Sequence, residues 1–261
     1  MSKLITTIML FSFLAFGISA KTVKLTSQNT MSLNGQVTGE SMNGLMLRLQ
    51  ELNKIETSDP IYLVINSPGG SIYDGFDFIR FAETSKRPIH TVTIFAASMA
   101  FQIVEALGDR YVTSYSTLMS HKASGGFRGE FPGQLDSRYA HVLSHLIEQD
   151  KHVVERTNGK QTLESYSQLI QNEYWANSSK SITDGFADEQ VNVECDKSLE
   201  GTRTEEINLG FFSVEAEFVK CPLITEPVSV RLSRGFDYVD KNKIDPLVEF
   251  KKIFQIKNIQ F

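Results

Sequence analysis

Pro60-Ile61-Tyr62-Leu63-Val64-Ile65-Asn66-Ser67-Pro68-Gly69-Gly70-Ser71 is the stretch whose reading decides the architecture. Residues 60–65 form a short apolar run rich in β-formers, the Pro-Gly-Gly turn ends it, and apolar residues recur at helical spacing from Ile72 to Phe81. A strand therefore hands over to a helix across a loop with little side chain. Paired glycines permit positive φ and let peptide N–H groups approach a ligand without a Cβ in the way, which suits a site that holds developing negative charge. The pattern repeats further on: Ile89 to Phe95 reads as a buried strand and Ala97 to Leu107 as a helix, with Ser98 at its start.

A serine at a helix N-terminus lies where free N–H groups and the helix dipole favour an anionic intermediate. The amides of Gly69, Gly70 and Met99 are thus candidate oxyanion donors. The hydroxyl needs a base to take its proton, and histidine is the usual choice near neutral pH. Of the five histidines, His90 begins a predicted strand and His141, His145 and His152 lie along a polar helical stretch. His121 differs, because it closes a short strand from Thr117 to Ser120 and precedes the flexible run Ala123-Ser124-Gly125-Gly126-Phe127-Arg128-Gly129. In a parallel α/β layout the carboxyl ends of neighbouring strands meet in one crevice, which brings His121 to Ser98. Each feature alone has a plainer reading: an N-cap serine, a turn glycine pair, a surface histidine. Their order and spacing together argue for nucleophile and base. A Ser–Lys dyad through Lys122 is the weaker arrangement, since neighbours along a strand point to opposite faces.

From about Leu33 to about Val191 the chain resembles the proteolytic subunit of the Clp protease, a serine peptidase family of crotonase-like fold. Asn66-Ser67-Pro68-Gly69-Gly70-Ser71 matches the family's glycine turn, Ala96-Ala97-Ser98-Met99 its nucleophile motif and Met119-Ser120-His121 the segment of its catalytic histidine. Gly125-Gly126-Phe127-Arg128-Gly129-Glu130 matches its substrate-binding strand, and Asp184-Gly185-Phe186-Ala187-Asp188 the ending of its core. The resemblance implies an α/β fold of repeated ββα units with a handle helix, around Ala140 to Val154. It also implies Ser98 as nucleophile, His121 as base, and Gly125, Gly126 and Phe127 as the groove for a peptide or unfolded polypeptide. Two positions depart from the pattern. The aspartate that orients the family's histidine is replaced by Asn172, which accepts a hydrogen bond but carries no charge; Glu173, Asp184 and Asp188 are the alternative orienting groups. An arginine of the family's ring-to-ring network is replaced by Gln171, so a homo-oligomer is expected without the implication of two stacked rings.

The first 20 residues have a basic start (Lys3), an apolar stretch from Leu4 to Ile18 and a small residue, Ala20, before Lys21. They read as a cleaved secretory signal peptide and place the protein in the periplasm or outside the cell. The only cysteines, Cys195 and Cys221, are expected to pair in such a compartment. With no histidine beside them a structural zinc site is not indicated, and no cofactor is called for. Export also separates the chain from the cytoplasmic ATPase that feeds this family, and no P-loop is present, so action without ATP and without an ATPase partner is expected.

The organisation expected is a signal peptide (1–20), a Clp-protease-like domain (21–192) and a C-terminal extension (193–261), β-rich and disulfide-closed. The last eight residues, Phe254 to Phe261, alternate apolar and polar and read as a strand or plug. From Ser229 onward seven Lys/Arg stand against four acids, whereas the chain as a whole carries a formal net charge of −5, which argues against a nucleic-acid partner. Two other functions compete with the peptidase. One is a peptide-binding module that has lost turnover through Asn172; the other is an acyl-CoA enzyme of the wider crotonase superfamily, which export from the CoA-containing cytoplasm disfavours.

Overall fold

The computed structural model describes residues 21–208 and 213–234. The presumed signal peptide, Gly210 to Phe212 and the Phe254 to Phe261 segment lie outside them. Strands β1 (Thr22–Leu25) and β2 (Thr30–Asn34) are followed by α1 (Gly39–Leu52), β3 (Ile61–Ser67), α2 (Ile72–Ala82), β4 (Ile89–Ala97), α3 (Met99–Ala106) and β5 (Arg110–Ser120). Then come α4 (Gln134–Arg156), α5 (Leu163–Leu169), β6 (Tyr174–Asn177), α6 (Ser178–Asp184), β7 (Glu189–Gln190) and β8 (Asn192–Cys195). The extension contributes β9 (Thr202–Asn208), β10 (Ser213–Val219) and β11 (Ser229–Arg234).

The main sheet runs in the order β2-β3-β4-β5-β6, with β7 also paired to β5. Strands β2 to β5 are mutually parallel, and β6 is antiparallel to β5. Consecutive parallel strands need crossovers, and α1, α2 and α3 supply them, packing on one face of the sheet. Leu45, Leu49, Leu63, Phe78 and Ile103 fill that layer. The opposite face carries Val64, Val92 and Tyr111 and is covered by Val23, Leu25, Val191 and Leu199, with Cys195 and Leu223 against its edge. β1 and β8, which supply part of this cover, pair in parallel. Because both faces are buried, β3 and β4 read as nearly continuous apolar runs, as a covered parallel sheet requires.

A buried ion group joins α3, β5 and the segment before β7. The Arg110 guanidinium donates to Glu105 Oε2 at 2.5 Å and to Asp188 Oδ1 at 2.6 Å, with Arg110 and Glu105 almost wholly enclosed. Burial pushes the Glu105 carboxyl up to about 8, against the pull of Arg110. Burial acts the same way on Asp188, but there the Arg110 hydrogen bonds outweigh it and hold the carboxyl below the usual range.

Two elements differ from expectation. The run Gly125 to Gly129 is not a strand: it has no regular structure, and Cβ atoms built on Gly125 and Gly126 would meet nothing within 4 Å. A lone strand with no neighbour has no ladder to satisfy its backbone, and this segment has no partner strand among the described residues. The handle helix forms as α4, but of its 23 residues only Val153 is buried. Val142, Leu146 and Val154 are half-buried, and Tyr139, Leu143 and Ile147 are exposed.

Cys195 and Cys221 form a disulfide with Cα atoms 5.9 Å apart. Closing a loop of this length stabilises the fold by about 3 kcal/mol in the chain-entropy model. The antiparallel sheet β9-β10-β11 buries Val214, Ala216 and Phe218 in a cluster of its own.

Candidate active site

The carboxyl ends of β3, β4 and β5 lie side by side and present Ser67 to Gly70, Ser98 and His121 respectively. Ser98 sits at the junction of β4 and α3 with φ 56° and ψ −123°, a conformation that L-residues rarely adopt. The elbow is held on three sides. Ser98 N–H donates to Met119 O at 3.0 Å and Gln102 N–H donates to Ser98 O at 3.2 Å. Gly69 closes the third side: a Cβ there would lie 2.5 Å from Ala97 O and 2.7 Å from both Met99 N and Ser98 Cβ. The small residues of Ala96-Ala97-Ser98 and the glycine opposite are thus one fitted contact, and strain of this kind persists only where the surroundings enforce it.

His121 Nε2 lies 2.7 Å from Ser98 Oγ, within hydrogen-bond reach of the hydroxyl. Its strand end is anchored from below, where Ser120 Oγ and Tyr166 OH are 2.8 Å apart and both residues are fully buried. Burial raises the Tyr166 phenol above its ordinary value, so it remains a neutral hydrogen-bonding group.

The glycine loop is sorted by its hydrogen bonds. Gly69 N–H donates to Ser67 Oγ at 3.1 Å, and Gly69 O accepts from Val37 N–H at 2.8 Å. Gly69 is therefore a packing residue whose N–H is already engaged, which corrects its expected role as an oxyanion donor. Gly70 N–H and Met99 N–H have no protein acceptor among the described residues. Gly70 has φ 148°, and a Cβ there would stand 2.3 Å from Val37 O. Neither Val37 nor Ser67 stood out in the sequence; Ser67 lies inside the glycine motif, but nothing in the motif says that its hydroxyl captures an amide.

The expected orienting residue is not where it was placed. Asn172 is exposed at the end of a 3-10 turn (Ile170–Asn172) and makes no hydrogen bond to His121, whose Nδ1 has no partner among the described residues. The reason is register. β5 and β6 pair Ser120 with Tyr174, so one step outward sets Glu173, not Asn172, across from His121. Glu173 has φ 65°, and its Oε2 accepts from Trp175 Nε1 at 3.0 Å. Asp184 accepts from Tyr174 OH at 2.7 Å and Asp188 is held by Arg110, which removes both from the orienting role. Lys122 is exposed and makes no bond to Ser98; its charge acts on Asp150, whose carboxyl burial raises and Lys122 lowers. Gly125, Gly126 and Phe127 are exposed and not brought into the crevice by this single chain.

No group of three or more His, Cys, Asp or Glu gathers to hold a metal among the described residues. No helix among them is long and apolar enough to cross a membrane.

A strained serine at a strand-to-helix elbow, an imidazole in contact with it and a glycine loop alongside are the parts of an α/β serine-hydrolase site. The chain matches the Clp protease family model over residues 18–194, and it belongs to that family. It is 36% identical over 110 residues to the ATP-dependent Clp protease proteolytic subunit 1 of Prochlorococcus marinus (strain MIT 9312), covering 41% of this chain and 56% of that one. With the proteolytic subunit 1 of Prochlorococcus marinus (strain NATL2A) it shares 30% identity over 172 residues, 65% of this chain and 86% of the relative. A proteolytic subunit of Streptococcus agalactiae serotype V is 27% identical over 171 residues, 63% and 85% of the two chains. In the 110-residue matches the chain spans 56% of the relatives' length.

Proposed function

We propose that this protein is an exported Clp-like serine endopeptidase that hydrolyses peptide bonds in short or unfolded polypeptides without ATP. The observation that carries the reading is the 2.7 Å approach of His121 Nε2 to the hydroxyl of a serine held at φ 56°. His121 Nε2 takes the Ser98 proton as Oγ attacks the scissile carbonyl, and the oxygen that gains the charge is received by the amides of Gly70 and Met99. The imidazolium then gives that proton to the leaving amine, and the ester left on Ser98 is hydrolysed by water activated by the same ring. Glu173 replaces Asn172 as the group to orient the ring, by exchanging the Trp175 indole for His121 Nδ1–H when substrate is bound.

Export is supported by the leader-like residues 1–20 and by the Cys195–Cys221 disulfide, a bond at home in oxidising compartments. Independence from an ATPase follows from that location. A homo-oligomer is supported by the exposed Tyr139, Leu143 and Ile147, which stand on one face of α4.

One observation favours a second reading. Among the described residues His121 Nδ1 has no acceptor to select the tautomer in which Nε2 is the base; a peptide-binding module without turnover fits that state. A fluorophosphonate probe with mass mapping separates the two. The peptidase reading expects an adduct on Ser98 in the chain lacking residues 1–20, lost in Ser98→Ala and in His121→Ala. No adduct between pH 6 and 9 leaves the binding module.

A further inference from the structure

The C-terminal extension touches the segment that borders the loop carrying Gly70. Cys221 is bonded to Cys195 at the end of β8, and Leu223 packs beside Val64, Val92 and Tyr111 on the sheet face away from α1 to α3. Two residues later, Thr225 O accepts from Asn34 Nδ2 at 3.2 Å. Asn34 ends β2 and faces the glycine turn on its other side, where its Oδ1 accepts from Asn66 Nδ2 at 3.2 Å. The residues that follow continue the contact: Gly35 N–H donates to Asn66 O at 3.0 Å, Val37 N–H to Gly69 O at 2.8 Å, and Ser71 N–H to Val37 O at 2.9 Å. Residues 34–37 therefore form the wall against which Gly70 is seated, with Val37 O where a Cβ on Gly70 would be.

We infer that segment 221–225, anchored at Cys221 by the disulfide, sets the geometry of the oxyanion loop, with Asn34 as the positioning residue between them. The inference rests on the peptidase reading above. A carboxamide suits this place because it offers a donor and an acceptor at once, and here each end is used by a different neighbour: the extension takes the donor and the glycine turn supplies the acceptor's partner. Oxyanion donors act only when correctly aimed, and displacement by about 1 Å costs rate while leaving substrate binding largely intact. The extension thereby contributes to the chemistry without touching the substrate, and the disulfide keeps its anchor at fixed distance from the sheet.

Asn34→Asp is the decisive variant, because it keeps the acceptor for Asn66 and gives Thr225 O nothing to accept. On the oxidised chain, and well below each variant's melting temperature, fluorophosphonate labelling of Ser98 is resolved into its maximal rate and its half-saturating concentration. The expected result is a roughly tenfold lower maximal rate for Asn34→Asp and for the Cys195→Ser/Cys221→Ser pair, with half-saturation within about twofold of wild type. The three substitutions combined should lose no more than either change alone, since they interrupt one route. Unchanged maximal rate in Asn34→Asp, or losses that multiply in the combination, overturns the inference while leaving the peptidase reading intact. Absence of labelling in the wild-type chain sinks that reading, and the inference with it.

Discussion

The elbow at Ser98 and the run from Gly125 to Gly129 are both glycine-lined, both belong to recognisable motifs, and behave oppositely in the folded chain. At the elbow every backbone turn is contacted: Gly69 fits against Ala97, Ser98 and Met99 with no room for a methyl group. A Cβ added at Gly125 or Gly126 would meet nothing within 4 Å. A motif specifies geometry only where the same chain supplies the surrounding walls. The elbow is completed by β3, β5 and the 34–37 segment, whereas the Gly125 to Gly129 run leads into a helix that buries one residue of 23.

The contrast breaks most severely at His121, the proposed base. His121→Ala is expected to lower Ser98 labelling and peptide hydrolysis by about 10³-fold or more with little change in stability, a loss read from kcat/KM at matched folded fraction. Next comes the glycine pair. Gly69→Ala forces a Cβ into Ala97 O at positive φ and should cost about 2–4 kcal/mol with loss of labelling, whereas Gly126→Ala should change denaturant stability by less than about 0.5 kcal/mol. Equal effects at the two sites would refute the contrast. The same division holds for large side chains: Phe101→Ala, wholly buried on the elbow helix α3, should cost about 3–5 kcal/mol, and Leu143→Ala on exposed α4 less than about 0.5 in the isolated chain.

The smallest effect concerns pH. Glu105 has a folded-state carboxyl raised to about 8, above its unfolded value, so the folded chain holds a proton that the unfolded chain releases. Stability then falls as pH rises toward 8. His90, kept below 6.5 by burial, works in the opposite sense only below that value, and Asp188, held below its ordinary range, only in stronger acid. The window between about pH 6.5 and 8 therefore reports Glu105. Melting temperature should decline across it in the wild type and stay flatter in Glu105→Gln; parallel profiles would show that Arg110 keeps the carboxylate ionised throughout.

Much of the site was legible because it is built from local patterns. A β-rich run, a glycine turn and an amphipathic helix can be recognised within twenty residues, and they name Ser98 and the glycine loop. His121 followed from topology, since parallel strands deliver their carboxyl ends to one edge. The orienting residue was misplaced because Asn172 and Glu173 are adjacent, and the choice between them depends on pairing between β5 and β6, strands separated by more than fifty residues. A shift of one residue in register changes which side chain faces His121. Gly69 was misassigned for a related reason: whether an amide faces a ligand or a buried hydroxyl is a matter of one peptide plane.

From residue order alone follow the α/β class, the alternation of strand and helix, and the choice of Ser98 and His121 as the pair to meet at one sheet edge, because these depend on periodicity and on backbone rules that act over short distances. The folded chain alone shows which glycine keeps a free amide, which acid stands opposite His121 and how the extension touches the 34–37 wall. Those facts are contacts between segments far apart in sequence, set by register and close packing to within an ångström, and no local pattern encodes them.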